Sequence, residues 1–451
     1  MTQQNTDQLL GVIDIGTTKI VALTGQKNDT GRFEILGMGK RPSFGVKRGL
    51  VMNIEETVSA IREAVGEMKQ QAGREIDEVV IGIAGQHVKS IKNSIKCDVI
   101  SQEGIVGDDD VVRMIQKMYK SQVGAGEQIL HVIPQSYVLD GKSSITDPKG
   151  WFAREIEAVF HVIVGKTNSM ENIKNCVNRA NLDVRRLMLE PLASAEAVLS
   201  KREKEMGVAM VDIGGGTTDM AVFCNEVLQH TAVIPLGGNS VTSDIKQAFS
   251  VLQSQAENLK IEYGAALQSK SQKDIMIQVP GLKGREERKI LLKDLVYVIQ
   301  ERMKEIVYAI KFQIEESGYA DRLNAGIVLT GGGALLNNLP QLVTAITGYD
   351  VIIGYPREHI SGDCADDVNK PMYATGVGLM MKYDMLLNDV KPEWDEHILE
   401  YETREPVADD TGEITENDGK ADKKSGGNIL KKFTSRIKTM LDEEDEDFDN
   451  E

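Results

Sequence analysis

The sequence predicts an α/β protein made of two related half-domains that close on one shared site. Three strand ends carry that prediction. Residues 11–19 read Gly-Val-Ile-Asp-Ile-Gly-Thr-Thr-Lys, and residues 208–219 read Val-Ala-Met-Val-Asp-Ile-Gly-Gly-Gly-Thr-Thr-Asp. Each is an apolar strand that ends in Asp and then breaks into Gly and Thr. The third, residues 326–334, reads Gly-Ile-Val-Leu-Thr-Gly-Gly-Gly-Ala, a buried strand running into a glycine turn.

These residue types in this order suit a phosphate. Glycine lets backbone N–H groups close on an anion, and a strand-end carboxylate facing the same anion can hold a hydrated Mg2+. By position, Gly16, Thr17, Thr18 and Lys19 are expected to hold the β- and γ-phosphates of ATP from one side. Gly214, Gly215, Gly216 and Thr217 are expected to hold them from the other. Asp14 and Asp212 then flank Mg2+ through water, while Gly331, Gly332, Gly333 and Ala334 line the adenosine. Gly238 and Asn239 read as a further contact.

The three loops together resemble those of the actin-like ATPase superfamily. Leu130-His-Val-Ile-Pro-Gln-Ser-Tyr137, Val233-Ile-Pro-Leu-Gly-Gly-Asn-Ser-Val-Thr-Ser-Asp244 and Tyr373-Ala-Thr-Gly-Val-Gly378 narrow the resemblance to the FtsA family of bacterial cell-division proteins, over residues 8–388. The resemblance implies an actin-like two-lobed ATPase fold of duplicated ribonuclease-H-like domains. It places a first lobe at 8–85, 166–206 and 376–388, an inserted subdomain at 86–165, a second lobe at 207–245 and 320–375, and an outer subdomain at 246–319. It also sets Glu257 and Lys260 on the ribose- and base-side helix, with a plain surface ion pair as the competing reading. Glu190, in Leu189-Glu-Pro-Leu-Ala-Ser-Ala195, falls where actin-like filament proteins keep a water-positioning side chain; a structural role at the hinge is the alternative. Catalysis is expected to be at most a slow Mg-ATPase, with Asp212 beside Glu190.

Bulk properties narrow the function. A chain of 451 residues has room for two or three domains. The net charge of −17 argues against nucleic acid as a partner. Cys97, Cys176, Cys224 and Cys364 are far apart and read as reduced thiols, and the six His form no cluster. The N-terminus is polar without a basic, apolar leader, and no stretch is apolar enough to cross a bilayer, so membrane contact is expected to be peripheral.

Along the chain, strands are predicted at Leu9–Ile15, Ile20–Gly25 and Arg32–Gly39, then an amphipathic helix at Ile54–Gln71 and a buried strand at Glu78–Gly82. The insertion reads as strands Ser90–Asp98, Gln128–Leu139 and Ile156–Val164, with a helix near Asp109–Tyr119. A helix Ser169–Ala180 returns to the first lobe. Residues 240–320 read as a helical excursion containing the long helix Leu292–Glu316. Leu335–Ile346 and Tyr373–Leu387 read as further helices. Glu301, Arg302 and Lys304 read as an exposed charged helix face.

Residues 389–427 carry Pro392, Pro406 and many acids with few apolar residues, the composition of a disordered linker. In 428–441, Ile429, Leu430, Phe433, Ile437, Met440 and Leu441 fall within about 120° of a helical wheel, with Lys431, Lys432, Arg436 and Lys438 on the rest. This basic amphipathic segment suits anionic membrane lipids. Residues 442–451 are an acidic tail, expected to weaken that attachment.

The family resemblance adds partners: the FtsZ C-terminal tail on the outer subdomain, further copies of the chain in filaments, and downstream division proteins on the insertion. The site would then lie on the cytoplasmic face of the inner membrane. A kinase or phosphatase of the superfamily needs an acid–base acceptor site that this chain does not offer. A chaperone needs a substrate-binding β-domain where the acidic linker stands. An actin-like scaffold of pilus-assembly or rod-shape type is the closest alternative.

Overall fold

Two sheets of matching design organise the protein, which is described by a computed structural model over residues 9–269, 275–281, 287–362 and 364–387. In the first sheet the strand order is Asp183–Leu189, Glu78–Ile83, Leu10–Ile15, Lys19–Lys27, Phe33–Pro42, Ile360–Ser361. In the second it is Val227–Ile234, Thr218–Cys224, Val208–Ile213, Ile327–Thr330, Val351–Ile353. Each of the two strands that end in Asp14-Ile-Gly and Asp212-Ile-Gly lies inside its sheet. It pairs antiparallel with its successor, Asp14 opposite Val21 and Asp212 opposite Asp219, and parallel with a strand on its other side. Burial on both faces explains why Leu10–Ile15 and Val208–Ile213 read as continuous apolar runs.

The helix Ile54–Ala72 covers the first sheet with Val58, Ile61, Val65 and Met68. Asn53 caps its N-terminus by accepting from the Glu56 N–H, Glu55 and Glu56 complement the positive end, and Gly73 closes it in the left-handed region. Strand and helix meet backbone to backbone, because a Cβ at Gly39 would fall 1.7 Å from the Ala64 carbonyl oxygen.

At the junction of the lobes, helices Glu190–Val198 and Ala374–Leu387 cross. The crossing depends on Gly378, where a Cβ would lie 1.8 Å from the Ala193 carbonyl oxygen. Gly378→Ala is therefore expected to destabilise the fold by about 2 kcal/mol through overpacking. The check is a lower urea midpoint with an unchanged denaturant slope.

The insertion forms its own sheet, in the order Val88–Asp98, Glu155–Lys166, Glu127–Leu139, Ser143–Ile145, with the helix Asp108–Tyr119 on top. Its separate core includes Met114, Met118, Val132 and Phe160. It touches both lobes. His131 Nε2 accepts from the Leu189 N–H at 3.0 Å, next to Glu190, and Gln135 Nε2 donates to the Leu228 and Gln229 carbonyls at 3.0 Å each.

The long helix Leu292–Glu316 buries Leu295, Ile299, Met303, Ile306, Ile310 and Ile314 along one stripe, as its periodicity predicts. Three expectations need correction. The 240–320 excursion is not all helical: Met276–Val279 and Arg288–Leu291 form a β-hairpin within it. The helix predicted from Leu335 begins at Leu339, because Gly332–Leu335 is a 3-10 turn and Asn338 takes φ 60°. Arg302 is not simply solvated: it bridges Asp244 and Glu305 at 2.6 Å each, while Lys304 pairs with Glu301 one turn back. The predicted linker, amphipathic helix and acidic tail (389–427, 428–441 and 442–451) lie outside the described residues.

Candidate functional site

The two aspartate–glycine loops face each other and close in the same way. Gly16 N–H donates to the Lys19 carbonyl at 3.0 Å, and Gly214 N–H donates to the Thr217 carbonyl at 2.9 Å. They meet with little clearance: a Cβ at Gly215 would fall 2.2 Å from Thr18 Cγ2, and one at Gly216 would fall 2.6 Å from Thr17 Oγ1. Glycine is required at Gly331 twice over, by its φ of 82° and because any Cβ there would fall 2.2 Å from Asp212 Oδ1.

Two connected chambers result. The smaller, about 70 Å³, is lined by Asp14, Gly16, Thr17, Thr18, Lys19, Glu190, Asp212, Gly214, Gly215, Gly216, Thr217, Asp219, Gly331 and Gly332. The larger, about 390 Å³, continues past Lys19 and Gly332 to Gly238, Asn239, Glu257, Lys260, Gly333, Leu336 and Asn337. Every loop residue expected at the phosphates thus borders one enclosure. Ala334 does not: it is fully buried, and Leu335 and Leu336 form the surface where it was expected. Gly238 and Asn239 line the larger chamber, but their N–H groups donate to the Gly214 and Gly215 carbonyls, at 2.9 and 2.8 Å. They brace the second loop. Glu257 and Lys260 do form the ion pair, at 2.8 Å, and it stands at the chamber wall, with Lys260 Nζ also donating to the Gly238 carbonyl at 3.0 Å. A larger cavity of about 960 Å³ lies by the far end of the helix Glu190–Val198, around Glu196, Lys204 and Lys382; its lining includes none of the three glycine loops.

Four carboxyl groups converge on the smaller chamber, and burial dominates their chemistry. Burial pushes Asp14 up to about 6; Lys19 opposes the shift and Asp212 adds to it. Burial pushes Asp219 up to about 7 against a hydrogen bond from Thr217 Oγ1 at 2.7 Å, with Asp212 again adding. Glu190 is raised well above the usual range, by burial first and then by Asp14, Asp219 and Asp212. Asp212 is raised by burial, while Ser194, Lys19 and Thr375 favour its ionised form. Ser194 Oγ donates to Asp212 Oδ2 at 2.8 Å and Thr375 Oγ1 at 3.3 Å, so the two crossing helices grip a carboxylate of the second lobe.

Asp219, Ser194 and Thr375 are site residues that the sequence reading did not assign. Asp219 was within reach, since it closes the second loop's motif directly opposite Asp212. Ser194 sits four residues after Glu190 on one helix, hence on the same face. Thr375 carries no local signal.

The residues fit a hydrated cation with a polyphosphate. Asp219 Oδ1 is buried with no partner among the described residues, and the glycine loops form a cradle that any side chain would fill. Among the described residues no three His, Cys, Asp or Glu side chains cluster closely enough to hold a metal by themselves. That donor set suits Mg2+, which keeps several of its own waters.

Duplicated sheets, facing glycine loops and a carboxylate-lined cleft at their junction define an actin-like ATPase fold. Solved structures bear this out: the PilM–PilN type IV pilus biogenesis complex matches with a TM-score of 0.59 at 16% identity, covering 84% of this chain and 99% of the other. MreB5 of Spiroplasma citri bound to ADP matches with a TM-score of 0.53 at 14% identity, covering 86% and 99%. The family model "Cell division protein FtsA" matches residues 209–378, and "SHS2 domain inserted in FTSA" matches 85–164. The cell division protein FtsA of Pseudomonas aeruginosa is 38% identical over 369 residues, 82% of this chain and 88% of the relative. That of Escherichia coli K12 is 36% identical over 83% and 90%, and that of Bacillus subtilis 31% over 83% of each. The chain belongs to the FtsA family: it is an actin-like cell-division protein.

Proposed function

We propose that the chain binds ATP with Mg2+ between its lobes, polymerises on the cytoplasmic face of the inner membrane at the division site, and tethers FtsZ there. The observation that carries the nucleotide part is the facing pair of loops, closed by the same hydrogen bond and lined by Asp14, Asp212 and Asp219. Backbone N–H groups of Gly16–Lys19 and 214–217 orient the phosphates, and Lys19 offsets their charge. Mg2+, when bound, neutralises phosphate charge. Ser194 and Thr375 hold Asp212 in place, and Glu190 orients water. Because Ser194 belongs to the first lobe and Asp212 to the second, ligand binding couples to the lobe angle, a population-shift role suited to filament control.

The tether part rests on the family and on sequence. The basic amphipathic segment 428–441, through Ile429, Leu430, Phe433, Ile437, Met440 and Leu441, is the proposed anchor; among the described residues no helix is long and apolar enough to cross a membrane. The outer subdomain 246–319 is the proposed receiver of the FtsZ C-terminal tail, and the insertion 86–165 that of downstream division proteins. Co-sedimentation with anionic liposomes, ATP and FtsZ tests this by comparing the full chain with residues 1–427. The full chain is expected to carry FtsZ down and the truncation is not. If neither does, the pilus-type scaffold takes precedence.

A further inference from the structure

We propose that Lys40 is a second cationic contact for the nucleotide, set beside its α-phosphate on the nucleoside side of Lys19. The inference rests on the nucleotide reading of the site. Lys40 sits near the end of the strand Phe33–Pro42, on the rim of the larger chamber. Lys19 borders both chambers, whereas Lys40 borders only the larger, together with Gly238, Lys260 and Leu336. A polyphosphate running from the loops toward the base therefore passes Lys19 first and Lys40 next.

The two ammonium groups share one aromatic platform. Lys19 Nζ lies 5.6 Å from the centre of the Tyr373 ring, and Lys40 Nζ lies 5.9 Å from it. The ring is itself fixed: Tyr373 is buried, in the turn Pro371–Tyr373, and its N–H donates to the Lys370 carbonyl at 3.0 Å. A ring face attracts each cation but carries no net charge. Two cations on one ring still repel. An anion between them removes that repulsion. Glu257 faces the same chamber, but its carboxylate is taken up by Lys260 and Thr242. The partner that satisfies both lysines is a phosphate group, and the chamber order assigns it to the α position.

Equilibrium titration with fluorescently labelled ATP, ADP and AMP tests this on the full-length wild type, Lys40→Gln, Lys40→Arg and Lys19→Gln. Lys40→Gln is expected to weaken all three nucleotides alike, by about fivefold, the scale of one solvent-exposed ion pair. Lys40→Arg keeps the charge and stays near wild type. Lys19→Gln weakens ATP and ADP more than AMP. Lys40 is exposed, so its variants keep the fold, which circular dichroism verifies. The inference is overturned if Lys40→Gln binds all three as the wild type does while Lys19→Gln is impaired, or if Lys40→Gln loses affinity for ATP alone. A wild type that binds none of the three overturns the nucleotide reading itself.

Discussion

Glu190→Ala is expected to slow ATP turnover by about a hundredfold, the scale of one lost preorganised contact, while Glu190→Gln keeps most of the rate. The contrast follows from the site's electrostatics. Glu190 is buried among Asp14, Asp212 and Asp219, and only Lys19 favours its ionised form. Burial is the largest cause of its raised pKa, and burial persists when a cation neutralises the neighbouring carboxylates. In its protonated form, which burial favours, Glu190 is no strong base, but it can donate and accept hydrogen bonds and so align a water, which is most of what phosphoryl transfer requires of a protein. Gln offers the same shape and both hydrogen-bonding roles; Ala offers neither. Single-turnover phosphate release decides it: equal, severe losses in both variants mean an ionised base, and no loss in either means Glu190 serves only the hinge. The side chain is aimed by its surroundings, since it lies over Gly82, where a Cβ would come within 2.8 Å of Glu190 Cγ, and the preceding Leu189 N–H is held by His131 of the insertion.

The loops were legible in the sequence because their chemistry is local. Glycine where a backbone must approach a phosphate, and Asp at the end of an apolar strand, are requirements met within a few residues. The helix Leu292–Glu316 was legible because its apolar periodicity runs through 25 residues and outweighs any local ambiguity. The hairpin Met276–Val279 with Arg288–Leu291 was not. Its strands are four residues long and half exposed, so alternation has no length in which to appear. Thr375 acquires its role only because Gly378 lets two helices cross, bringing it 3.0 Å from Ser194 across 181 positions of sequence. Lys40 looks like any solvated lysine at a strand end until Tyr373 is seen beneath it. Ala334 differs for a related reason: the glycine turn is local in sequence, but the 3-10 geometry that turns Ala334 inward and leaves Leu335 exposed is not.

Asp219→Asn is expected to stabilise the nucleotide-free protein at pH 8 by on the order of 4 kcal/mol, and to change little near pH 4. Asp219 has a folded pKa of about 7 against an ordinary 3.8. Below about pH 4 its carboxyl is protonated in both states, and the stability it contributes is fully present. Between those values the unfolded chain gives up a proton that the folded protein retains, so stability falls as pH rises and the loss is complete above about pH 7. Asp14 acts in the same direction up to about pH 6. Glu196 acts the other way. Burial alone would raise it, but Lys382 and Lys204 outweigh burial and hold it at about 2, so its contribution is present above 4.5 and fades only as pH falls toward 2. Burial holds His87 at about 4 and His161 at about 3, so these two add stability as pH rises toward 6.5 and oppose the carboxyls. The slope assigned to Asp219 is therefore read as the difference between variant and wild type, and the Asn variant should gain stability relative to wild type from pH 5 to pH 8. Mg-ATP supplies the counter-charge that burial withholds, so it should raise the wild-type melting temperature at pH 8 more than that of Asp219→Asn. Melting curves from pH 5 to 8, with and without Mg-ATP, read both effects. Parallel pH slopes in wild type and variant would mean that Asp219 is ionised in the folded apo protein, its unpartnered Oδ1 reached by solvent and the carboxylate chamber already open before any ligand arrives.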